Sequence, residues 1–275
     1  MNTPLQIDGV DVLVEGEGAH TVVMLHGWPD TLALWDGTVA ALQDGYRCVR
    51  LCLPGFDLAR PPRPVSVDQM CSLVAAVLDA VSPDEPVTLL LHDWGCFFGY
   101  EYAARHPQRV ARVVGTDIGD TNSGAYLKSL KTKEKLMIAG YQLWLAVAWK
   151  LGGWLPGLAD RMTRFMARTI GCRTPPERMG WQMNYPYAMQ WFGSYGGLRG
   201  VARVDKVFGP QIPTLFCFGR RKPFMFHSPR WLAALGTTPG NQVQGFDAGH
   251  WLMFQKPALF HTAVRAWLDG GGAER

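Results

Sequence analysis

The stretch LLLHDWGCFFG, residues 89–99, decides how the surrounding chain folds. The apolar run from Pro86 to Leu91 predicts a buried parallel strand, and the apolar spacing after Trp94 predicts a helix. Asp93 therefore lies on the turn between a strand and a helix. A carboxylate at that end of a buried strand is poorly solvated and adds nothing to packing, which favours a chemical role over the alternative of a simple helix cap.

The turn has the spacing of a nucleophile elbow, with a glycine two residues after the nucleophile. His92-Asp93-Trp94-Gly95 resembles the elbow of the α/β-hydrolases that use an aspartate nucleophile, the epoxide hydrolases and haloalkane dehalogenases. The resemblance implies an α/β-hydrolase fold and a catalytic Asp93. Leu91 departs from the pattern, because a glycine commonly relieves crowding at that position.

Composition excludes several classes of function. The 275 residues are 48% hydrophobic, enough for one large α/β domain, and the mild net charge of +4 lacks the basic and aromatic pattern of a nucleic-acid surface. The six cysteines lie mostly in apolar runs without Cys-x-x-Cys spacing, which indicates reduced core residues of a cytoplasmic protein and no structural zinc. Residues 1–9 do not resemble a signal peptide. We therefore expect neither a nucleic-acid partner nor a metal.

The longest apolar window runs from Leu136 to Trp149. It is shorter than the roughly 20 residues of a spanning helix and is interpreted as a buried helix. A peripheral membrane contact is the less favoured alternative, since lysines precede the window and tryptophans lie near it. We expect no membrane contact.

The order of predicted elements divides the chain into a core and an insertion. Strand and helix alternate up to about residue 120, which predicts a mostly parallel sheet with helices on both faces. Residues 121–205 instead have helical apolar spacing and predict a cap, so the core comprises residues 1–120 and 206–275. The predicted strands are Val10–Val14, Thr21–Leu25, Arg47–Leu53, Pro86–Leu91, Val110–Thr116, Pro213–Gly219 and Gln242–Phe246, and the clearest helices are Val67–Val81, after a capping box at Ser66, and Pro257–Leu268.

The loop His26-Gly27-Trp28-Pro29 follows the second of these strands. In the hydrolases that the elbow resembles, such a loop lies beside the nucleophile and supplies an oxyanion hole. The resemblance implies that the backbone N–H groups of Trp28 and Trp94 are its donors. Each donor in a comparable site stabilises the transition state by about 2.7–4 kcal/mol.

Gly249-His250-Trp251 follows the last strand, where a histidine can reach across to the elbow. Asp93 is ionised at neutral pH and needs no base to attack carbon, so His250 is expected to activate the water that hydrolyses the resulting ester. No carboxylate follows the seventh strand, the common family position for the acid. Relatives with an alternative position imply Asp117, eleven residues after His106 of an H-P-x-R-V motif, with Asp120 and Asp247 as lesser candidates.

The cap decides which substrate Asp93 attacks. The epoxide hydrolases use two cap tyrosines as proton donors, and the resemblance implies Tyr141 for the first and either Tyr185 or Tyr187 for the second. Halide release would instead need an additional N–H donor in the loop that carries Trp28, so the sequence favours an epoxide hydrolase of apolar small molecules without a cofactor. The alternatives are a haloalkane dehalogenase with the same nucleophile and base, and a non-catalytic binding protein of the same fold.

Overall fold

The computed structural model describes residues 4–193 and 211–270. Within these ranges one sheet has the strand order β1-β2-β4-β3-β5-β6-β7-β8. The strands β2, β4 and β1 pair antiparallel at one edge, and every pairing from β4 to β8 is parallel. The bounds are β1 (Leu5–Ile7), β2 (Val10–Glu15), β3 (His20–Leu25), β4 (Tyr46–Leu51), β5 (Val87–His92), β6 (Val110–Thr116), β7 (Thr214–Gly219) and β8 (Gln242–Phe246).

Helices cover both faces of the sheet, as the alternating pattern predicts. The capping box is confirmed, because the Ser66 hydroxyl accepts from the backbone of Gln69 and the Gln69 side chain accepts from the backbone of Ser66. The helices of the described ranges are α1 (Asp36–Leu42), α2 (Val67–Val81), α3 (Trp94–Arg105), α4 (Gly124–Ser129), α5 (Thr132–Gly152), α6 (Pro156–Thr169), α7 (Tyr185–Phe192), α8 (Pro229–Thr237), α9 (Leu252–Gln255) and α10 (Pro257–Gly270).

The central strand β5 is buried on both sides. Leu89 and Leu91 pack into the core on one face of the sheet, and Leu90 packs into the core on the other. A strand with two buried faces needs apolar residues without alternation, which explains the continuous run before Asp93. The carboxyl end of this strand is the position from which the site is built.

The helices α4 to α7 lie between β6 and β7 in the chain, where the cap is predicted. The boundary proposed at residues 205 and 206 lies outside the described residues. The prediction that Leu136 to Trp149 is a buried helix is wrong for one of its sides: Leu145, Ala146 and Ala148 are buried, but Leu143, Trp144 and Val147 are exposed. Across the two described ranges, no helix is long and apolar enough to cross a bilayer.

Candidate active site

Asp93 lies on a strained turn between β5 and α3. Its backbone has a φ of 52° and a ψ of −124°. Residues other than glycine rarely adopt this conformation, and those that do are often found at functional turns. Gly95 lets the first turn of α3 press against β3, because a Cβ there would lie 2.3 Å from the carbonyl oxygen of Leu25. The turn therefore projects the Asp93 carboxylate beyond the end of the sheet.

The crowding expected beneath this turn is relieved within α3. Leu91, at the position where a glycine was expected, directs its side chain at Gly99, where an added Cβ would lie 2.4 Å from Leu91 Cδ2. The missing glycine in the strand is thus offset by a glycine in the helix.

The two oxygens of the Asp93 carboxylate have different surroundings. The backbone N–H of Trp28 donates to Oδ1 at 2.6 Å, and the backbone N–H of Trp94 also bonds to the carboxylate. Gly27 permits this approach, because a Cβ there would lie 2.5 Å from Oδ1. Oδ2 faces the imidazole of His250, with 3.5 Å between Oδ2 and Nε2. One oxygen is held by backbone dipoles and the other faces the base.

The structure brings Asp117 to the other side of His250. Asp117 follows β6 with a φ of 71°, and its Oδ2 lies 2.5 Å from His250 Nδ1. The backbone N–H of Gly219, at the end of the neighbouring strand β7, donates to Asp117 Oδ1 at 3.0 Å. Asp117 is therefore positioned to orient the imidazole and to stabilise its charged form.

The two lesser candidates for the acid lie elsewhere. Asp120 is buried and accepts hydrogen bonds from the backbone and hydroxyl of Ser228 and from the hydroxyl of Ser123, which ties the start of the cap to the core. Asp247 is exposed and pairs with Arg221. Neither carboxylate is placed to orient His250.

Lys222 is a site residue that sequence reasoning missed. Its ammonium pairs with Asp117 Oδ1, and its side chain is only 6% exposed. The ammonium also lies 5.5 Å from the centre of the Phe226 ring. The sequence signal was its position after β7, in the loop where the expected carboxylate is absent. In the sequence, however, Lys222 looks like one more residue of the basic run Arg220-Arg221-Lys222.

Asp93, His250 and Asp117 form a relay, and burial and neighbouring charges shift the pKa of each of these three groups in opposite directions. Burial disfavours the imidazolium of His250, but the carboxylates of Asp117 and Asp93 outweigh burial and raise the pKa of His250 to about 9. Burial likewise favours neutral carboxyls, but His250 holds the pKa of Asp93 below its usual range, and Lys222 and His250 do the same for Asp117. The resting site therefore contains two carboxylates and one imidazolium at neutral pH.

Two further histidines and one carboxyl shape the loops around the relay. His26 Nε2 accepts from the backbone N–H of Leu53, and His92 Nε2 donates to the carbonyl of His250. Burial lowers the pKa of His26 to about 4 and that of His92 to about 3, so both are neutral at pH 7. Asp30, also not predicted, is buried and accepts from the indole N–H of Trp251.

Tyr141 and Tyr187 line the same cavity of about 560 Å³ as Asp93. Their ring centres are 6.0 Å apart, and the Tyr187 ring packs edge-on against Trp28 and Trp94. Burial and the negative charge of Asp93 raise the pKa of both phenols well above the usual value. Both hydroxyls therefore remain protonated and can act as donors.

Tyr185 does not line this cavity. Its ring packs against Phe56 and Trp149, and its buried hydroxyl has no hydrogen-bond partner within residues 4–193 and 211–270. Of the two choices for the second cap tyrosine, the structure brings Tyr187 to Asp93 and leaves Tyr185 on the far side of α7.

The indole N–H of Trp28 is not free to bind a ligand. It donates to the Asn184 side-chain oxygen at 2.7 Å, and the Asn184 amide donates to the Thr163 hydroxyl. The Trp94 side chain in turn bonds to Tyr187. Both indoles near Asp93 are thus engaged by residues of the cap.

No group of three or more His, Cys, Asp or Glu side chains within the described ranges is arranged to hold a metal ion.

Comparison with known proteins agrees with this architecture. A sequence profile described as alpha/beta hydrolase fold matches residues 20–167. The structure of an epoxide hydrolase from Bacillus megaterium superposes with a TM-score of 0.68 over 97% of this chain and 100% of that one, at 18% identity. That likeness concerns the fold.

Two relatives resemble the chain more closely in sequence. A cis-3-alkyl-4-alkyloxetan-2-one decarboxylase from Shewanella oneidensis is 35% identical over 264 residues, covering 87% of this chain and 78% of the relative. A probable oxidoreductase, EphD, from Mycobacterium tuberculosis is 40% identical over 104 residues, covering 36% of this chain. The matched segment amounts to 18% of the length of EphD.

Proposed function

This chain belongs to the α/β-hydrolase family, and we propose that it opens an apolar epoxide to a vicinal diol through an ester formed on Asp93. The observation that carries the proposal is that two protonated tyrosines, Tyr141 and Tyr187, line the same cavity as the Asp93 carboxylate. A nucleophile that faces proton donors is what a strained cyclic ether requires, because ring opening leaves an alkoxide.

In the first half-reaction Asp93 Oδ2 attacks a ring carbon and the bond from that carbon to the ring oxygen breaks. The ring oxygen takes a proton from Tyr141 or Tyr187, which leaves a hydroxyalkyl ester of Asp93. The held oxygen, Oδ1, becomes the carbonyl oxygen of this ester and still faces the N–H of Trp28.

In the second half-reaction His250 takes a proton from water, and the resulting hydroxide attacks the ester carbon. Charge then grows on Oδ1, where the N–H groups of Trp28 and Trp94 stabilise it. The alkoxide of the diol leaves with a proton from His250, one oxygen of water remains in the Asp93 carboxyl, and that carboxyl then gives its proton to His250, which restores the resting site. Ester formation prepares His250 for this role, because it removes one of the two carboxylate charges that raise the pKa of the imidazole. The imidazolium then passes its proton to the tyrosinate left by the first half-reaction, which restores the phenol and leaves His250 neutral.

The engaged indoles favour this reaction over halide release. A dehalogenase needs N–H donors free to bind a halide ion, and here Trp28 donates to Asn184 while Trp94 bonds to Tyr187. The relay of Asp93, His250 and Asp117 also supports a catalyst over a binding protein of the same fold, since Asp93 and Asp117 both have a positive φ, and such backbone strain clusters at active sites.

A second candidate is decarboxylation of an oxetan-2-one, which the 35% identity to the Shewanella oneidensis decarboxylase favours. Asp93 Oδ2 would attack the ring carbon that bears the oxygen, and the ring carboxylate would leave. Loss of carbon dioxide would then form the carbon–carbon double bond and expel Asp93. This route yields an alkene and consumes no water, so it does not need His250 as a base.

Product analysis under single-turnover conditions separates these candidates. Enzyme in excess is mixed in oxygen-18 water with an aryl epoxide, a cis-dialkyl oxetan-2-one or a bromoalkane. The proposal expects a diol that lacks the label in its first turnover, because that oxygen comes from Asp93. Alkene with carbon dioxide from the oxetanone, or bromide from the bromoalkane, without any diol from the epoxide would contradict it.

A further inference from the structure

The cap helix α5 has an exposed apolar stripe. Five residues recur at helical spacing along it and are between 37% and 68% exposed: Leu136, Met137, Leu143, Trp144 and Val147. Residues three or four apart lie on one side of a helix, so the stripe runs along more than two turns. The opposite side packs inward through Leu145, Ala146 and Ala148. Packing within the described chain therefore accounts for only one side of this helix.

The stripe continues onto the next helix. Trp154, in the linker between α5 and α6, is 89% exposed, and Leu158 and Phe165 of α6 are 46% and 56% exposed. The Phe165 ring lies 5.8 Å from the ring of Trp144, whose indole N–H donates to the carbonyl of Met162 on α6. The exposed residues of the two helices and of the linker thus form one surface, which we call the cap outer face. It comprises Leu136, Met137, Leu143, Trp144, Val147, Trp154, Leu158 and Phe165. Contiguous exposed apolar surface of this kind marks an interaction site.

Positive charge surrounds the cap outer face. Between residues 124 and 170 the chain has eight lysines and arginines against two carboxylates, a net charge of +6, whereas the whole chain has +4. Exposed cations precede the stripe, follow it and continue along α6: Lys131, Lys133, Lys135, Lys150, Arg161 and Arg168. An apolar helix face with tryptophans and flanking basic residues is complementary to an anionic lipid surface.

The same helix also forms a wall of the cavity that contains Asp93. Lys135, Ile138 and Ala139 of α5 line that cavity, together with Leu127 of α4, which is 55% exposed. The cavity and the cap outer face therefore share the first turns of α5. A molecule dissolved in a bilayer beneath the cap would have a short path to Asp93.

Contrary to the expectation from the sequence, we propose that the cap outer face binds the surface of an anionic lipid bilayer, with α5 and α6 lying along the interface. Its aromatic and aliphatic side chains insert among the acyl chains, and the lysines and arginines contact the phosphates. The corollary that apolar substrates enter the cavity from the bilayer rests on the proposed function, whereas the binding itself does not.

Vesicle flotation at low salt tests the binding. The full chain is mixed with vesicles of phosphatidylcholine alone or of equimolar phosphatidylcholine and phosphatidylglycerol. We expect flotation with the second kind, weakened by added salt because exposed charges are screened. Trp154→Ser combined with Leu158→Ser should weaken binding more than tenfold, because the double variant loses two large apolar side chains whose burial among the acyl chains favours binding. Lys131→Gln and Lys133→Gln should each weaken it about fivefold.

Leu259→Ser is the matched control. Leu259 is 60% exposed on α10, away from the cap, so its replacement removes a similar side chain without touching the cap outer face. The control should float like the unaltered chain. Unchanged circular dichroism and melting temperature of all variants show that the folded state is retained.

Absence of flotation with phosphatidylglycerol vesicles would overturn the proposal, as would a Trp154→Ser and Leu158→Ser variant that floats like the unaltered chain. A dimer in solution that the same variant dissociates would assign the face to a second copy of the chain and overturn the proposal too. Asp93→Asn protein should still float, so a failure of binding is distinguishable from a failure of the proposed chemistry.

Discussion

The two oxygens of the Asp93 carboxylate have different partners. The backbone N–H of Trp28 fixes Oδ1, and this leaves Oδ2 toward His250 and the cavity. An ester on Oδ2 would place its carbonyl oxygen where charge must be stabilised in the second half-reaction. In the proposed reaction the same geometry would serve both attack on carbon and hydrolysis of the ester.

The cap tyrosines give the first prediction. Tyr141→Phe and Tyr187→Phe should each lower kcat for an aryl epoxide, and both together should lower it by about 10²–10⁴-fold, because a positioned proton donor contributes that much. Tyr185→Phe is the control and should retain the wild-type kcat, since the Tyr185 hydroxyl lies outside the cavity. Loss of activity only in the Tyr185 variant would refute the assignment.

Lys222 gives the second prediction. Replacing it by methionine leaves the full Asp117 charge directed at His250, so the pKa of the imidazole rises and its neutral form is less abundant at pH 7. The rising limb of kcat against pH should therefore move to higher pH. Arg221→Met, on the same loop but exposed and paired with Asp247, should leave the profile in place. Equal profiles for both variants would show that Lys222 does not act on the relay.

At the scale of elements, the contact of Leu91 with Gly99 joins β5 to α3. Gly99→Ala should lower the free energy of unfolding by about 1–3 kcal/mol, because the new Cβ overlaps the Leu91 side chain. Leu91→Ala in the same chain should remove most of that clash, so the two changes should be strongly non-additive in chemical denaturation.

Gly140→Ala provides the comparison for this experiment. Gly140 also lies within a helix, but a Cβ there meets no atom within 4 Å. Alanine should therefore stabilise α5 by about 1 kcal/mol through helix propensity. Destabilisation at both glycines would mean that the Leu91 contact is not the cause.

The apolar patterns of the sequence predicted which segments form strands and helices. They did not predict which sides of those elements contact one another. The strand before Asp93 was predictable because burial on both faces demands an unbroken apolar run. The exposed side of α5 was not, because a helix that is apolar all round carries no signal for which side packs. Tyr185 and Tyr187 posed the same difficulty, since two residues apart on α7 they point to different sides of the helix.

At the scale of the whole molecule, the relay connects stability to pH. Folding raises the pKa of His250 from an ordinary 6.5 to about 9, so the imidazolium stabilises the fold fully below pH 6.5. That stabilisation, on the order of 3 kcal/mol, is lost as the pH rises through 9. The free energy of unfolding should thus fall between pH 6.5 and 9 more steeply than in His250→Gln. Parallel curves for the two proteins would show that His250 is not held charged.

The parts of the site that lie far apart in the chain show the limit of sequence reasoning. Asp117 could be chosen because its spacing from His106 matches a family pattern. Lys222 could not, because its role depends on β6 and β7 being neighbours, and only that pairing brings its ammonium to Asp117. Charge clusters in a sequence give no information on which member is buried.

If Asp93 forms a covalent bond with substrate carbon, the resulting ester can be trapped when its hydrolysis is blocked. His250→Gln protein, which lacks the base for the second half-reaction, is incubated with an aryl epoxide and its mass is measured intact and after proteolysis. We expect one substrate mass added to the peptide that contains Asp93, and none in a variant that also carries Asp93→Asn. An unmodified His250→Gln protein that still turns over epoxide, or an adduct on another residue, would contradict it.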